Sequence, residues 1–174
     1  MKTILVIICL FIYSNSFAGY GKTSWGMSLN KIKKLYPGGE VMKQNGQTEY
    51  YIVDEVSEHK DTLVNFSFNK NGKLDSVSLI FSKLGQPINL KTGEYTQMTK
   101  DQCEMVKDRL KTNLTLKYGK PQDYSNLKNI TATSWTTKTD MVTIDCSSVG
   151  DPNLAAPIII YNDIPKLEKQ FDGL

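Results

Sequence analysis

The stretch TLVNFSFNKNGKLDSVSLIF, Thr62 to Phe81, alternates apolar and polar residues on either side of a turn signal. Val64, Phe66 and Phe68 point one way on the outgoing arm, and Val77, Leu79 and Phe81 do so on the return. A period of two is the mark of a strand with one buried face. Between the arms, Asn71-Gly72 is the pair favoured in a two-residue type I′ turn, because both positions need positive φ. With those two residues as the turn, Phe66 faces Val77 and Val64 faces Leu79, so the apolar sets meet on one side. The stretch therefore predicts a β-hairpin that needs a further layer over its apolar face.

The sequence on each side supplies that layer. Upstream, Ser28 reads as an N-cap, and Leu29, Ile32, Leu35 and Tyr36 recur at helical spacing until Pro37-Gly38-Gly39 stop the helix. TEYYIVDEV follows as a strand, with Tyr50 and Ile52 on one face and Tyr51 and Val53 on the other. Downstream, residues 82–98 carry two glycines and a proline with little periodicity, which marks either a functional loop or a strand hidden from the pattern. Thr99 with Gln102 is a capping-box pattern opening a second helix that ends at Gly119 and Pro121. TATSWTTK, MVTIDCSS and PIIIYND are three more strands, and Ile164, Leu167 and Phe171 share one face of a short last helix. The order is helix and three strands, twice. The fold class expected is α+β, an antiparallel sheet with two helices on one face, and the repeated α-β-β-β order reads either as a duplicated unit or as a shared helix-stop signal arising by chance.

The chain opens with a leader. Lys2 precedes an apolar run from Ile4 to Ile12, and Ser16-Phe17-Ala18 places small residues at the positions a cleaving peptidase reads. The run is too short for a membrane span, and Cys9 lies inside it, not at a lipid-attachment position. Residues 1–18 thus read as a signal peptide and 19–174 as one α+β domain, with a first half at 25–82, a linker loop at 83–98 and a second half at 99–174. The expected location is periplasmic or secreted, with no membrane anchor.

Composition narrows the function classes. The chain has 21 basic and 18 acidic side chains, so losing Lys2 leaves 20 against 18. Near-neutral charge without a basic block argues against nucleic acid. The cluster Lys31, Lys33 and Lys34 reads as the solvated face of the first helix. Removing the leader also leaves two cysteines, Cys103 and Cys146. In an oxidising compartment they are expected to pair. Cys103 shares a helical face with Val106, Leu110 and Leu114, while Cys146 shares a strand face with Val142 and Ile144, so both sulfurs point into the layer between helix and sheet.

A catalytic constellation is not visible, and the chain is expected not to be an enzyme. The single histidine, His59, lies in a polar segment with Asp54, Glu55, Glu58 and Asp61 and reads as solvated. Those carboxylates lack the glycine-centred ladder of a calcium loop, and two distant cysteines with one histidine make no zinc site. No metal and no cofactor is expected. The candidate partner-binding residues are amphipathic aromatics: Trp25 before the first helix, Tyr50 and Tyr51 in the strand, and Tyr95 in the long loop.

WGMSLNKIKKLYPG, Trp25 to Gly38, resembles the helix entry of small bacterial envelope proteins of the SmpA/OmlA type, and LKYGKP, Leu116 to Pro121, resembles their helix stop. The resemblance implies a helix-on-sheet scaffold that binds other proteins and has no active site. Members of that family are lipid-anchored and carry one unit; this chain has no lipid-attachment motif. Duplicated helix-sheet units also occur in secreted β-lactamase inhibitor proteins. The leading expectation is an exported, non-catalytic protein-binding module of envelope, inhibitor or immunity type. The alternative is an exported small-ligand binder or hydrolase using the acidic segment around His59.

Overall fold

The computed structural model describes residues 19–44, 46–127 and 130–164. The signal peptide expected at residues 1–18 and the last expected helical positions, Leu167 and Phe171, lie outside the described residues. The elements run α1 (Leu29–Leu35), β1 (Glu40–Gln44), β2 (Gln47–Val56), β3 (His59–Phe68), β4 (Leu74–Phe81), β5 (Met98–Thr99), α2 (Lys100–Tyr118), β6 (Gln122–Leu127), β7 (Ile130–Thr136), β8 (Asp140–Ser147) and β9 (Leu154–Asp163). This is an α+β fold on one antiparallel sheet, in the order β1-β2-β3-β4-β9-β8-β7-β6. Each half is a helix followed by a four-strand meander, and the halves join through their last strands, β4 and β9. The short β5 pairs with Leu154 and Ala155 of β9, beyond the reach of β4.

Each half thus has one strand more than the sequence predicted. The additions, β1 and β6, are the two edges of the sheet. Edge strands have a solvated side and do not carry the apolar alternation by which buried strands are recognised. In EVMKQ the one apolar inward position is Val41, which is 40% exposed. Element order repeats between the halves; the residue identities do not extend that to common descent.

The central hairpin has the expected register, with Phe66 opposite Val77 and Val64 opposite Leu79. Its turn differs. Asn69 N–H donates to Lys73 O at 2.9 Å and Gly72 N–H to Asn69 O at 2.8 Å, so the loop is three residues long with Gly72 at φ 67°. The Asn69 side chain also accepts from the amides of Asn71 and Lys73. Three loop residues would shift the register by one. A bulge beside Ser67 and Phe68 takes up the extra residue and restores it.

Both helices pack on the face that carries Tyr50, Val64, Phe66, Val77, Leu79, Trp135, Val142, Ile144 and Ile159, all buried in one cluster with Ile32 of α1 and Leu110 and Leu114 of α2. Ser28 takes the extended N-cap conformation without a side-chain cap hydrogen bond. The entry to α1 is held by the hairpin end instead, through Gly26 N–H to Leu74 O and Leu74 N–H to Met27 O. At the other end Tyr50 takes over: its hydroxyl donates to Tyr36 O at 2.7 Å and accepts the Gly39 N–H at 2.9 Å. A side chain on Gly39 would run into the backbone of Tyr51 and the ring of Tyr50, so the stop sequence ends in glycine for room. α2 opens on the predicted capping box, with Thr99 Oγ1 accepting from Gln102 N–H and Gln102 Oε1 from Thr99 N–H.

The cysteines are paired. Cys103 in the first turn of α2 is bonded to Cys146 near the end of β8, with their Cα atoms 6.1 Å apart. Met98, Cys103 and Ala155 form a small second core around the bridge.

Candidate functional site

The face of the sheet without helices carries the residues that alternate with the core. One row crosses it in register: Glu40, Tyr51, Asn65, Ser78, Ile160, Thr143, Ser134 and Gln122. Over the β1–β2 end of that row lies the long loop, residues 82–97. It is a built structure, closed at its neck as an Ω-loop is. Lys83 N–H donates to Thr96 O at 2.8 Å, Ser82 Oγ accepts from Thr96 N–H at 3.1 Å, and the Ser82 hydroxyl donates to Thr96 O. Farther out, Asn89 N–H donates to Glu94 O, and the Asn89 side chain accepts from Lys91 N–H. Two anchors fix the loop to the rest of the chain: Gly85 N–H donates to Asp61 Oδ2, and the Gln97 amide donates to Val149 O.

Gly93 lets the loop lie flat on the sheet. It has φ 68°, and a side chain there would come within 3.3 Å of the Tyr51 ring. The Tyr51 hydroxyl in turn donates to Glu49 Oε2. Burial first, and then the Glu49 carboxylate, raise its pKa well above the ordinary tyrosine value. Beside this contact the loop and Glu40 line an open recess of about 650 Å³, with Ile88, Leu90, Lys91, Glu94 and Tyr95 in its wall. Tyr95 is half-buried there, and burial raises its pKa.

Of the four aromatics singled out from the sequence, Tyr95 sits half-buried in the loop, while the Tyr51 ring lies under Gly93 of that loop and, at 8% exposure, is not itself available at the surface. Tyr50 is fully buried on the helix face and its hydroxyl is spent on the helix stop, so it is not available at the surface. The strand pattern made it visible; only the packing shows which face is covered. Trp25 is half-buried on the helix side, where its indole N–H donates to Asp140 Oδ1 at 2.8 Å and Thr139 O at 3.2 Å.

His59 is not the solvated turn residue expected from its polar neighbours. It is buried at the start of β3, edge-on to Phe81 with ring centroids 5.4 Å apart, and its Nε2 lies 2.7 Å from Ser82 O. A carbonyl only accepts, so Nε2 carries the proton and is not free as a base. His59 clamps the neck of the loop. Its acidic neighbours disperse: Asp54 accepts from the Tyr20 hydroxyl on the helix face, and Asp61 serves the loop. No group of metal-ligating side chains forms among the described residues.

A second recess, of about 350 Å³, opens between the β2–β3 turn and α2. Met98, Met105, Val106 and Leu110 make it apolar, and Lys83 and Arg109 stand in its wall with Glu58. Among the described residues the one ion pair is Lys107 with Glu104, so neither of these cations is paired. The sequence held no sign of this recess, because Lys83 and Arg109 meet only through the fold. No helix among the described residues is long and apolar enough to cross a membrane. Compared with protein families, with curated proteins and with solved structures, the chain has no match.

Proposed function

We propose that this is an exported, non-catalytic protein-binding module, and that its contact surface is the helix-free sheet face at the 82–97 loop. The observation that carries the reading is the loop itself: it is long, tied at the neck, clamped by His59, and holds a half-buried tyrosine beside an open cavity. An aromatic presented on a pre-formed loop loses little entropy on binding. Tyrosine also combines a large apolar body with a polar tip, the profile of an interface anchor. The resemblance of Trp25 to Gly38 to envelope proteins and the paired cysteines support the same class, within which an inhibitor or immunity role falls.

The test is affinity capture of the mature, oxidised protein from its own envelope and medium. A single stoichiometric partner is expected. Tyr95→Ala should weaken its binding by about 30-fold, the cost of truncating a hot spot worth about 2 kcal/mol, with the melting temperature unchanged. Replacing residues 83–96 by a short Gly-Ser link should abolish capture. Recovery of no partner, or of one held equally by the loop-less variant, sinks the reading.

A second reading has its own observation, the recess beside His59. Apolar walls with two cations, unpaired among the described residues, suit an apolar-tailed carboxylate such as a fatty acid. On this reading a fluorescent long-chain carboxylate binds the purified protein and Arg109→Glu removes at least ~90% of the affinity, since a like charge replaces an opposite one. Equal binding by both proteins excludes it.

A further inference from the structure

Asp140 is a buried carboxylate, 7% exposed, with neutral donors only among the described residues. Oδ1 accepts the indole N–H of Trp25 at 2.8 Å and the backbone N–H of Gly19, also at 2.8 Å. Oδ2 accepts from the hydroxyls of Thr139 at 2.9 Å and Thr137 at 3.4 Å. A carboxylate taken out of water is stable when a cation faces it, and hydrogen bonds from neutral groups compensate only in part. No side-chain cation of the described residues pairs with it. A cation for it has an evident source. Gly19 is the residue that follows the small-residue cleavage signal Ser16-Phe17-Ala18.

We infer that removal of the leader after Ala18 creates a cation facing Asp140, which has none among the described residues: the α-ammonium of Gly19, formed at an atom already in hydrogen-bond contact with Oδ1. Hydrolysis of the Ala18–Gly19 bond by an export-associated peptidase consumes one water. The hydroxyl goes to the Ala18 carbonyl carbon, which leaves as a carboxylate, and the nitrogen gains protons to become an ammonium at neutral pH. An amide N–H to Asp140 becomes a charge-assisted contact at the same place.

The position is shaped for this residue. A side chain on Gly19 would meet Thr23 Oγ1 at 2.9 Å and the Trp25 ring at 3.4 Å. The contact also spans the molecule, because Asp140 opens β8 in the second half while residues 19–27 lead into α1 of the first. Tyr20 continues the seam, its ring 6.4 Å from Phe66 of β3 and 6.4 Å from Tyr161 of β9. Cleavage therefore locks the two halves together on the helix side, and the folded state is fully stabilised only after export. This rests on the reading of residues 1–18 as a signal peptide.

The experiment compares chains with a free Gly19 amine and with an Nα-acetylated Gly19, each with Asp140 and with Asp140→Asn. Acetylation is expected to lower the melting temperature by about 5 °C with Asp140 present, as the loss of a charged hydrogen bond does, and by less than about 1 °C in the Asp140→Asn background. Equal losses in both backgrounds, or none with Asp140, overturn the pair. Should Asp140→Asn not fold, acylation of the free amine decides: at least tenfold slower in the native protein than in urea supports the contact, and equal rates overturn it. The intact mass of the exported protein tests the processing step by itself, since a first residue other than Gly19 refutes it whatever the stability cycle shows.

Discussion

Phe66→Ala should lower the stability of the protein by about 4 kcal/mol, within the range for emptying a buried aromatic site, and its melting temperature by roughly 12 °C at this chain length. Phe66 is fully buried and lies opposite both Tyr50 and Val77. Three tyrosine rings surround it, Tyr36 at 5.1 Å, Tyr50 at 6.2 Å and Tyr20 at 6.4 Å between centroids. Two of these cannot follow a collapse into the cavity. Tyr50 is held by its bonds to Tyr36 O and Gly39 N–H, and Tyr20 by its bond to Asp54. A site that cannot relax keeps its void, which places the loss above that of a simple transfer. The control is Val53→Ala on the helix-free face, where the side chain is 45% exposed and the change should stay within about 0.5 kcal/mol. Urea unfolding of both variants checks the pair of numbers, and a loss below about 1.5 kcal/mol for Phe66→Ala contradicts this account of the core.

The reasons that Phe66 matters are the reasons the fold was legible. Where a strand is buried on one face, apolar alternation specifies register, and the hairpin from Thr62 to Phe81 could be paired correctly before its turn was known. Even a misjudged turn did no harm, because the bulge beside Phe68 absorbed the extra residue that the three-residue loop introduces. Helix limits were legible for a chemical reason: Thr99 with Gln102 and Pro37 with two glycines satisfy or terminate backbone hydrogen bonds locally. What depends on tertiary covering was not legible. β1 and β6 are edges with little apolar signal, so both were missed. His59 looks solvated among Glu58, Lys60 and Asp61, yet the loop neck at Ser82, 23 residues away, buries it. Tyr50 and Tyr51 are adjacent, equally aromatic and both buried, and only the tertiary covering decides that helices cover the first and the loop the second. The candidate site was half visible, as one tyrosine in a strand and another in a loop, with no sequence feature to say that Gly93 would bring that loop down onto Tyr51.

Removing the Cys103–Cys146 bridge should lower stability by about 4 kcal/mol, the chain-entropy value for closing a loop of this size. The melting temperature of Cys103→Ser/Cys146→Ser is then expected to fall by roughly 12 °C, and reducing agent should bring the native protein to the same value. The sequence separation is 43 residues, and the segment it closes contains most of α2, all of β6 and β7 and most of β8. Without the bridge the unfolded chain regains the freedom of that segment. The native state also loses the fixed point of the second core, where Cys103 and Cys146 pack with Met98 and Ala155. Met98 belongs to β5, which follows the 82–97 loop directly, so the bridge is a support of the proposed contact surface as well as of the fold. This sets two outcomes apart. If the loop is held mainly by its own neck and by His59, the cysteine variant binds its partner undiminished below its melting temperature; if β5 is the dominant anchor, affinity falls together with stability. The hydrogen bonds from Ser82 and Lys83 to Thr96 lie outside the bridged segment and do not use either cysteine. The first outcome is therefore the expected one, measured as equal affinity of oxidised and reduced protein at a temperature where circular dichroism shows both folded. Destabilisation below about 2 kcal/mol contradicts the loop-closure account, because a void at Met98 and Ala155 alone would give no more than that.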